Sequence, residues 1–237
     1  TATPGRALNN DEDNQRLAKL YYETPVRLEC PDGGNVFSYL RKVGVMAATS
    51  MDIIHGSDEI LSNKEVASFE SSLSVPASLL NRLGQKEQRN LAIVYKLLGL
   101  IKENPKIKIL LFACNVKHSK FLTSILKYKG IKAAHVDGQT LTSARKTILG
   151  DFKKGNTNVL SNFGVLATGF DAPKTDVVFI ARPTASIVLY SQIIGRGLRG
   201  PNIGGTKECK IINVKDNIVG LPNYDKIYEY FDDYYVR

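Results

Sequence analysis

Apolar and polar positions divide the 237 residues into two parts with different rhythms. In the second part, strands and helices take turns. Ile107 to Ala113 is an almost unbroken apolar run, interrupted by Lys108, as suits a strand buried on both faces of a parallel sheet. The pattern then predicts a helix over 117–129, a strand over Lys132–Val136 and a helix over 142–153. Strands at Asn158–Asn162 and Asp176–Arg182, a helix over 185–194 and a strand at Lys210–Val214 continue the series. A last helix is expected over Asp225–Tyr235, its aromatic residues serving as core. This alternation predicts an open, doubly wound α/β fold with a mostly parallel sheet flanked by helices.

The first part is less regular. Leu17 and Leu20 fall at helical spacing within 7–20, with Asn9 or Asn10 as the candidate cap. Arg27-Leu28-Glu29 suggests a short strand before a turn at Pro31-Asp32-Gly33-Gly34. A helix over 35–43 and an extended piece over 45–54 follow, while 57–74 is polar and fits neither pattern. From Val75 to Glu103 the spacing is helical. Leu79, Leu80 and Leu83 form one stripe, and Leu91, Val94, Tyr95, Leu98 and Ile101 form a second. A boundary near 85 would separate a small α-rich segment, 1–84, from a domain over 85–237.

Composition narrows the classes. Hydrophobic residues at 43% and charged residues at 23% exclude a disordered tail. The apolar runs are far shorter than the roughly 20 residues that span a bilayer, so no membrane partner is expected. Cys30, Cys114 and Cys209 are odd in number and widely spaced, which argues against a disulfide framework or zinc site and fits a reducing, cytoplasmic compartment. The formal net charge of +9 is unevenly placed: residues 1–90 carry a net of −2 and residues 91–237 a net of +11. Such a bias points towards a polyanion.

The chemistry-bearing segments are few. No GxxxxGKS or GxxxxGKT run cradles a triphosphate. Gly195, Gly197 and Gly200 form one literal GxGxxG, but a helix precedes it and Pro201 follows, so the dinucleotide reading lacks its strand-to-helix setting. Arg196 and Arg199 lie three apart, one helical turn, and could aim two guanidiniums at one phosphoryl group. By spacing alone, a solvated basic pair is the simpler reading. His55, His118 and His135 do not cluster. His118 reads as a surface residue, and Tyr190 as a core or interdomain aromatic more than a stacking platform.

Gln192-Ile193-Ile194-Gly195-Arg196-Gly197-Leu198-Arg199 closely resembles motif VI of superfamily 2 helicases. Val165-Leu166-Ala167-Thr168-Gly169-Phe170-Asp171-Ala172-Pro173 resembles motif V. Ile109 to Asn115, with Lys117 and His118, resembles motif IV, and Thr1-Ala2-Thr3-Pro4-Gly5-Arg6 is similar to motif III. Order and spacing agree for all four. Arg182-Pro183-Thr184-Ala185-Ser186 resembles the branch of bacterial DNA repair helicases and restriction-enzyme motors. DEAD-box RNA helicases carry His where this chain has Gln192, which favours DNA over RNA.

The resemblance implies a RecA-like fold and a C-terminal motor domain of an ATP-dependent helicase. Arg199 and then Arg196 would be the arginine fingers. Gln192, Gly169 and Asp171 would face the nucleotide. Asn115, Lys117, Gln139, Thr140, Arg145, Asn162 and Thr168 would contact nucleic acid; short polar side chains and helix N-termini hold phosphates without reading sequence. A cap role competes at Thr142 and Ser143, and a turn or cap role at Asp171. ATP and Mg²⁺ would be bound mainly by an N-terminal motor domain of the same protein, and this chain alone would be inactive. The opening at Thr1 without Met fits that expectation. The alternative is a non-motor nucleic-acid-binding or regulatory module with a helicase-like fold. A nucleotide-sugar or cofactor enzyme of the doubly wound class is a third reading, without a supporting glycine-rich or acidic signature.

Overall fold

The apolar run at Ile107–Ala113 becomes β2 (Ile109–Phe112), whose four residues are all buried. Residues 19, 30, 31, 33–72, 74–167 and 174–221 are described by the structure, a computed structural model. The strand expected at 27–29 and the helix expected over 225–235 lie outside the described residues, as does all but Lys19 of the helix over 7–20.

Among the described residues, six strands form one parallel sheet. They are β1 (Ala48–Ile60), β2, β3 (Ala133–Val136), β4 (Val159–Asn162), β5 (Val177–Ile180) and β6 (Glu208–Val219), in the order β1-β6-β5-β2-β4-β3. The helices are α1 (Val36–Lys42), α2 (Asn63–Ser72), α3 (Ala77–Gln85), α4 (Glu87–Glu103), α5 (Val116–Tyr128), α6 (Thr142–Lys154) and α7 (Ile187–Ile194). The doubly wound α/β expectation is met, and the sheet is wholly parallel.

Alternate strand residues feed two cores. Leu110, Phe112, Val178, Ile180 and Ile211 join one with Phe152 of α6 and Tyr190 and Ile193 of α7. Ile109, Leu111, Val177, Phe179 and Ile212 join the other with α4 and α5. Burial on both faces is why the central strands read as continuous apolar runs.

Two expectations change. The helical stretch 75–103 is broken at Lys86, which is extended at φ −66°, ψ 112° and separates α3 from α4. On α4 the buried face is Ile93, Val94, Leu97, Leu100 and Ile101, whereas Leu91 and Tyr95 are exposed. The extended piece expected over 45–54 runs on to Ile60, because β6 supplies a hydrogen-bonding partner through Ile60↔Val219. The sheet therefore takes strands from both sides of residue 85. At the end of β1, Glu59 pairs with Lys86 at 2.9 Å and Arg82 at 3.1 Å, and Arg82 also meets Glu65 of α2 at 2.6 Å. The Arg82 guanidinium holds the Glu65 carboxyl down to about 2 against the opposing effect of burial.

Candidate functional site

In a parallel sheet, each helix that follows a strand starts at the strand's carboxyl edge. Three neighbouring strands, β2, β4 and β3, bring the starts of α5 and α6 and the residues after Asn162 to one edge. Most of the residues expected to hold nucleic acid lie here.

Asn115 caps α5, its Oδ1 accepting from His118 N at 2.7 Å. Its Nδ2 donates to Asn81 Oδ1 at 2.9 Å and Leu80 O at 3.3 Å, tying the cap to α3. Lys117 is exposed on the first turn. In the loop before α6, Asp137 organises the chain. Its Oδ1 accepts from Gln139 N at 3.0 Å and Thr140 Oγ1 at 2.9 Å, and Arg145 Nη2 donates to its carbonyl at 2.6 Å. Its Oδ2 lies 3.0 Å from His135 Nε2 and 3.7 Å from Lys120 Nζ. The bond from His135, helped by Thr140, holds the Asp137 carboxyl at about 2. Leu141, not Thr142 or Ser143, occupies the α6 cap position and makes no side-chain cap bond.

Two expected placements change. Asn162 is fully buried, its Nδ2 donating to Leu111 O at 3.0 Å, so it braces β4 against β2 and presents no side-chain surface to a strand. His118 is buried rather than at the surface, because its place on α5 turns it inward beneath α3. Burial, with the nearby Arg89 charge, pushes its pKa down to about 3, so the ring is neutral. Thr168, Gly169 and Asp171 lie outside the described residues.

The arginine segment lies at the opposite edge. β5 ends at the carboxyl edge, α7 returns, and the turn after it precedes β6 at the amino edge. α7 ends at Ile194, so Arg196 and Arg199 do not share a helical turn as their spacing suggested. Arg196 sits in a turn with its Nε donating to Gln192 O at 3.1 Å, and Arg199 is extended, bridged to Met46. Both are half-buried, and burial lowers the Arg196 pKa. The glycines here serve packing. A Cβ on Gly197 would lie 2.3 Å from Cys209 Sγ, and one on Gly200 would lie 2.3 Å from Gly44 O. Tyr190 is core, its hydroxyl donating to Asn213 Oδ1 at 3.2 Å.

A buried network escaped the sequence. Arg89 of α4 donates to Asp216 of β6 from Nε at 2.7 Å and Nη2 at 2.9 Å, with both side chains fully buried. It also reaches Ala181 O at 2.7 Å and Cys114 Sγ at 3.7 Å. Among the described residues no group of three or more His, Cys, Asp or Glu could hold a metal, and no helix is long and apolar enough to cross a membrane.

Residues 89–200 match the family of helicase conserved C-terminal domains. The chain is 33% identical over 139 residues to IRC3 of Saccharomyces cerevisiae, named as a candidate ATP-dependent helicase, covering 59% of this chain and 20% of that protein. It is 40% identical over 109 residues to irc3 of Schizosaccharomyces pombe, named as a candidate mitochondrial ATP-dependent helicase, covering 46% of this chain and 18% of that protein. The chain thus spans a fifth or less of the length of these relatives. A fragment of a candidate HsdR subunit of a type I restriction enzyme from Vibrio vulnificus has a TM-score of 0.57 at 19% identity, over 90% of this chain and 41% of that one. Saccharomyces cerevisiae Dbp5, solved with RNA and ADP BeF3, has a TM-score of 0.57 at 18% identity, over 99% of this chain and 48% of its own. These structural likenesses establish the RecA-like helicase fold. Residues 89–200 thus match a helicase conserved C-terminal domain, on a fold that is similar to those of solved superfamily 2 helicases.

Proposed function

We propose that this chain is the second motor lobe of an ATP-dependent superfamily 2 translocase. One edge of its sheet grips a nucleic-acid strand, and the other completes the ATP site of a first lobe. The observation that carries this reading is the separation of the two residue groups. Asn115, Lys117, Gln139, Thr140 and Arg145 gather at the carboxyl edge, while Gln192, Arg196 and Arg199 gather at the amino edge.

The carboxyl edge suits phosphates. The starts of α5 and α6 carry partial positive charge, Lys117 adds a full one, and the second part of the chain is strongly basic. Gln192, in place of the DEAD-box His, favours DNA. Strand type is read directly by comparing DNA and RNA binding at fixed salt.

The amino edge suits the triphosphate end of ATP. Burial disfavours the charged form of Arg196, and an anionic phosphate beside it would offset that cost. ATP with Mg²⁺, held mainly by the first lobe, would supply the phosphoryl group to be cleaved. Arg199 and Arg196 would neutralise charge developing on it, with Gln192 beside them. Gly169 and Asp171 would complete the contact, and Thr168 would join the strand grip. Closure on ATP and opening after hydrolysis would then shift the grip along the strand.

In the full-length parent, Arg199→Ala should lower ATP turnover about 10³-fold, ~4 kcal/mol of barrier, while nucleotide binding holds. Unchanged turnover would remove Arg199 from the reaction and favour the non-motor module.

A further inference from the structure

A cleft of about 730 Å³ opens between α3 and the first turn of α5, with Phe163 beyond the end of β4 closing one side. It borders the motif IV residues Asn115 and Lys117, but the α3 wall and the two phenylalanines lie outside the helicase motifs. α3 supplies Leu80, Asn81 and Gln85, and α5 supplies Lys117, His118 and Phe121. Gly84 lets the helices meet, since a Cβ there would lie 3.0 Å from His118 Cβ and 3.2 Å from Asn115 Nδ2.

The lining has a definite chemistry. Phe121 is 47% exposed, and Phe163 shares the cleft with it. The Arg182 guanidinium lies over the Phe163 ring, 5.1 Å from its centroid. Three carboxamides, from Asn81, Gln85 and Asn115, line the walls, and no acidic side chain does. At the floor, His118 Nδ1 accepts from Cys114 N at 3.2 Å, so a neutral ring carries its proton on Nε2. That Nε2 is buried without a hydrogen-bond partner, and His118 is 2% exposed. A buried donor without an acceptor is costly, and it marks the ground beneath the cleft as polar.

Aromatic rings, the carboxamides of Asn81 and Gln85 and a lysine at the mouth describe a planar heteroaromatic ligand with polar edges, joined to an anion. We propose that this cleft receives one unpaired nucleobase of a bound single strand, while Lys117 at its mouth holds the adjoining phosphate. The inference rests on the nucleic-acid reading of the carboxyl edge. It adds a base-sized anchor that depends on stacking more than on sequence.

Fluorescence anisotropy tests it, with the 237-residue chain at constant low salt. The probes are a labelled 12-nucleotide single-stranded DNA and an abasic strand of the same length and charge. The intact strand should bind roughly tenfold more tightly than the abasic one, the size of one base–aromatic stack. Phe121→Ala should remove most of that difference by weakening the intact strand alone, and Phe121→Tyr should restore it. Phe121 is half-exposed, so circular dichroism of the variant should match the parent chain. Equal binding of the two strands, or equal losses on both in Phe121→Ala, would overturn the base pocket and leave the phosphate grip standing. Binding of neither strand would overturn the nucleic-acid reading and the pocket with it.

Discussion

Asp216→Ala would strand the Arg89 guanidinium in the interior. The pair is bidentate, at 2.7 and 2.9 Å, and neither side chain reaches solvent. Ala181 O and Cys114 Sγ, which Arg89 also reaches, carry no compensating charge. Burial pushes the Cys114 thiol up to about 11, so it stays neutral near pH 7. Asp216 also accepts from Ser57 N at 3.0 Å, so its loss frees a donor on β1 as well. Removing one partner of such a pair costs about 3–5 kcal/mol, against about 5–15 kcal/mol for a whole domain. With a urea slope of about 2 kcal/mol per molar, the midpoint should fall by roughly 2 M. Urea unfolding followed by circular dichroism reads this directly. The double variant Arg89→Met with Asp216→Leu removes both charges while keeping volume, and should recover more than half of the loss. A midpoint shift below about 0.5 M in Asp216→Ala would refute the reasoning, and so would strictly additive losses in the double variant.

Lys117→Ala should lower the slope of log affinity against log salt by about one for single-stranded DNA, as expected for one lost phosphate contact. A slope equal to that of the parent chain would take Lys117 off the strand track. His118 gives a pH test: its folded pKa, about 3, lies below the ordinary 6.5, so the unfolded chain binds more protons between those values. Stability should therefore fall as pH drops from 6.5 towards 3, by up to about 1.4 kcal/mol per unit. The Glu65 and Asp137 carboxyls, held near 2, contribute losses only below about pH 4.5. His118→Gln should flatten the decline between pH 6.5 and 4.5, and an unchanged profile would show that His118 is not held neutral.

Legibility followed burial. β2 and β5 were plain in the sequence because both faces are covered, so every residue is apolar. β1 was only half legible. Its second half, Ser57-Asp58-Glu59, is polar, and what keeps it extended is β6, some 160 positions away in sequence. The stripe on α4 was misjudged at Leu91 and Tyr95, since helical spacing gives a period while the packing partner chooses the face. Among the residues singled out, Tyr190 as core matched its local signal. Asn162 and His118 did not, because a polar residue's depth depends on neighbours from other elements.

By itself, the sequence determined the alternation of strands and helices, the motif order that resembles a superfamily 2 helicase C-terminal domain, and the basic bias of its second part. These are local or additive properties, set by runs of a few residues or by a sum over charges. The tertiary structure alone decided the Arg89–Asp216 pair, the neutral state of His118, the separation of Arg196 and Arg199 from one helical turn, and the cleft beside Phe121. Each depends on which distant segments the sheet order brings together, and on how far that closeness excludes water.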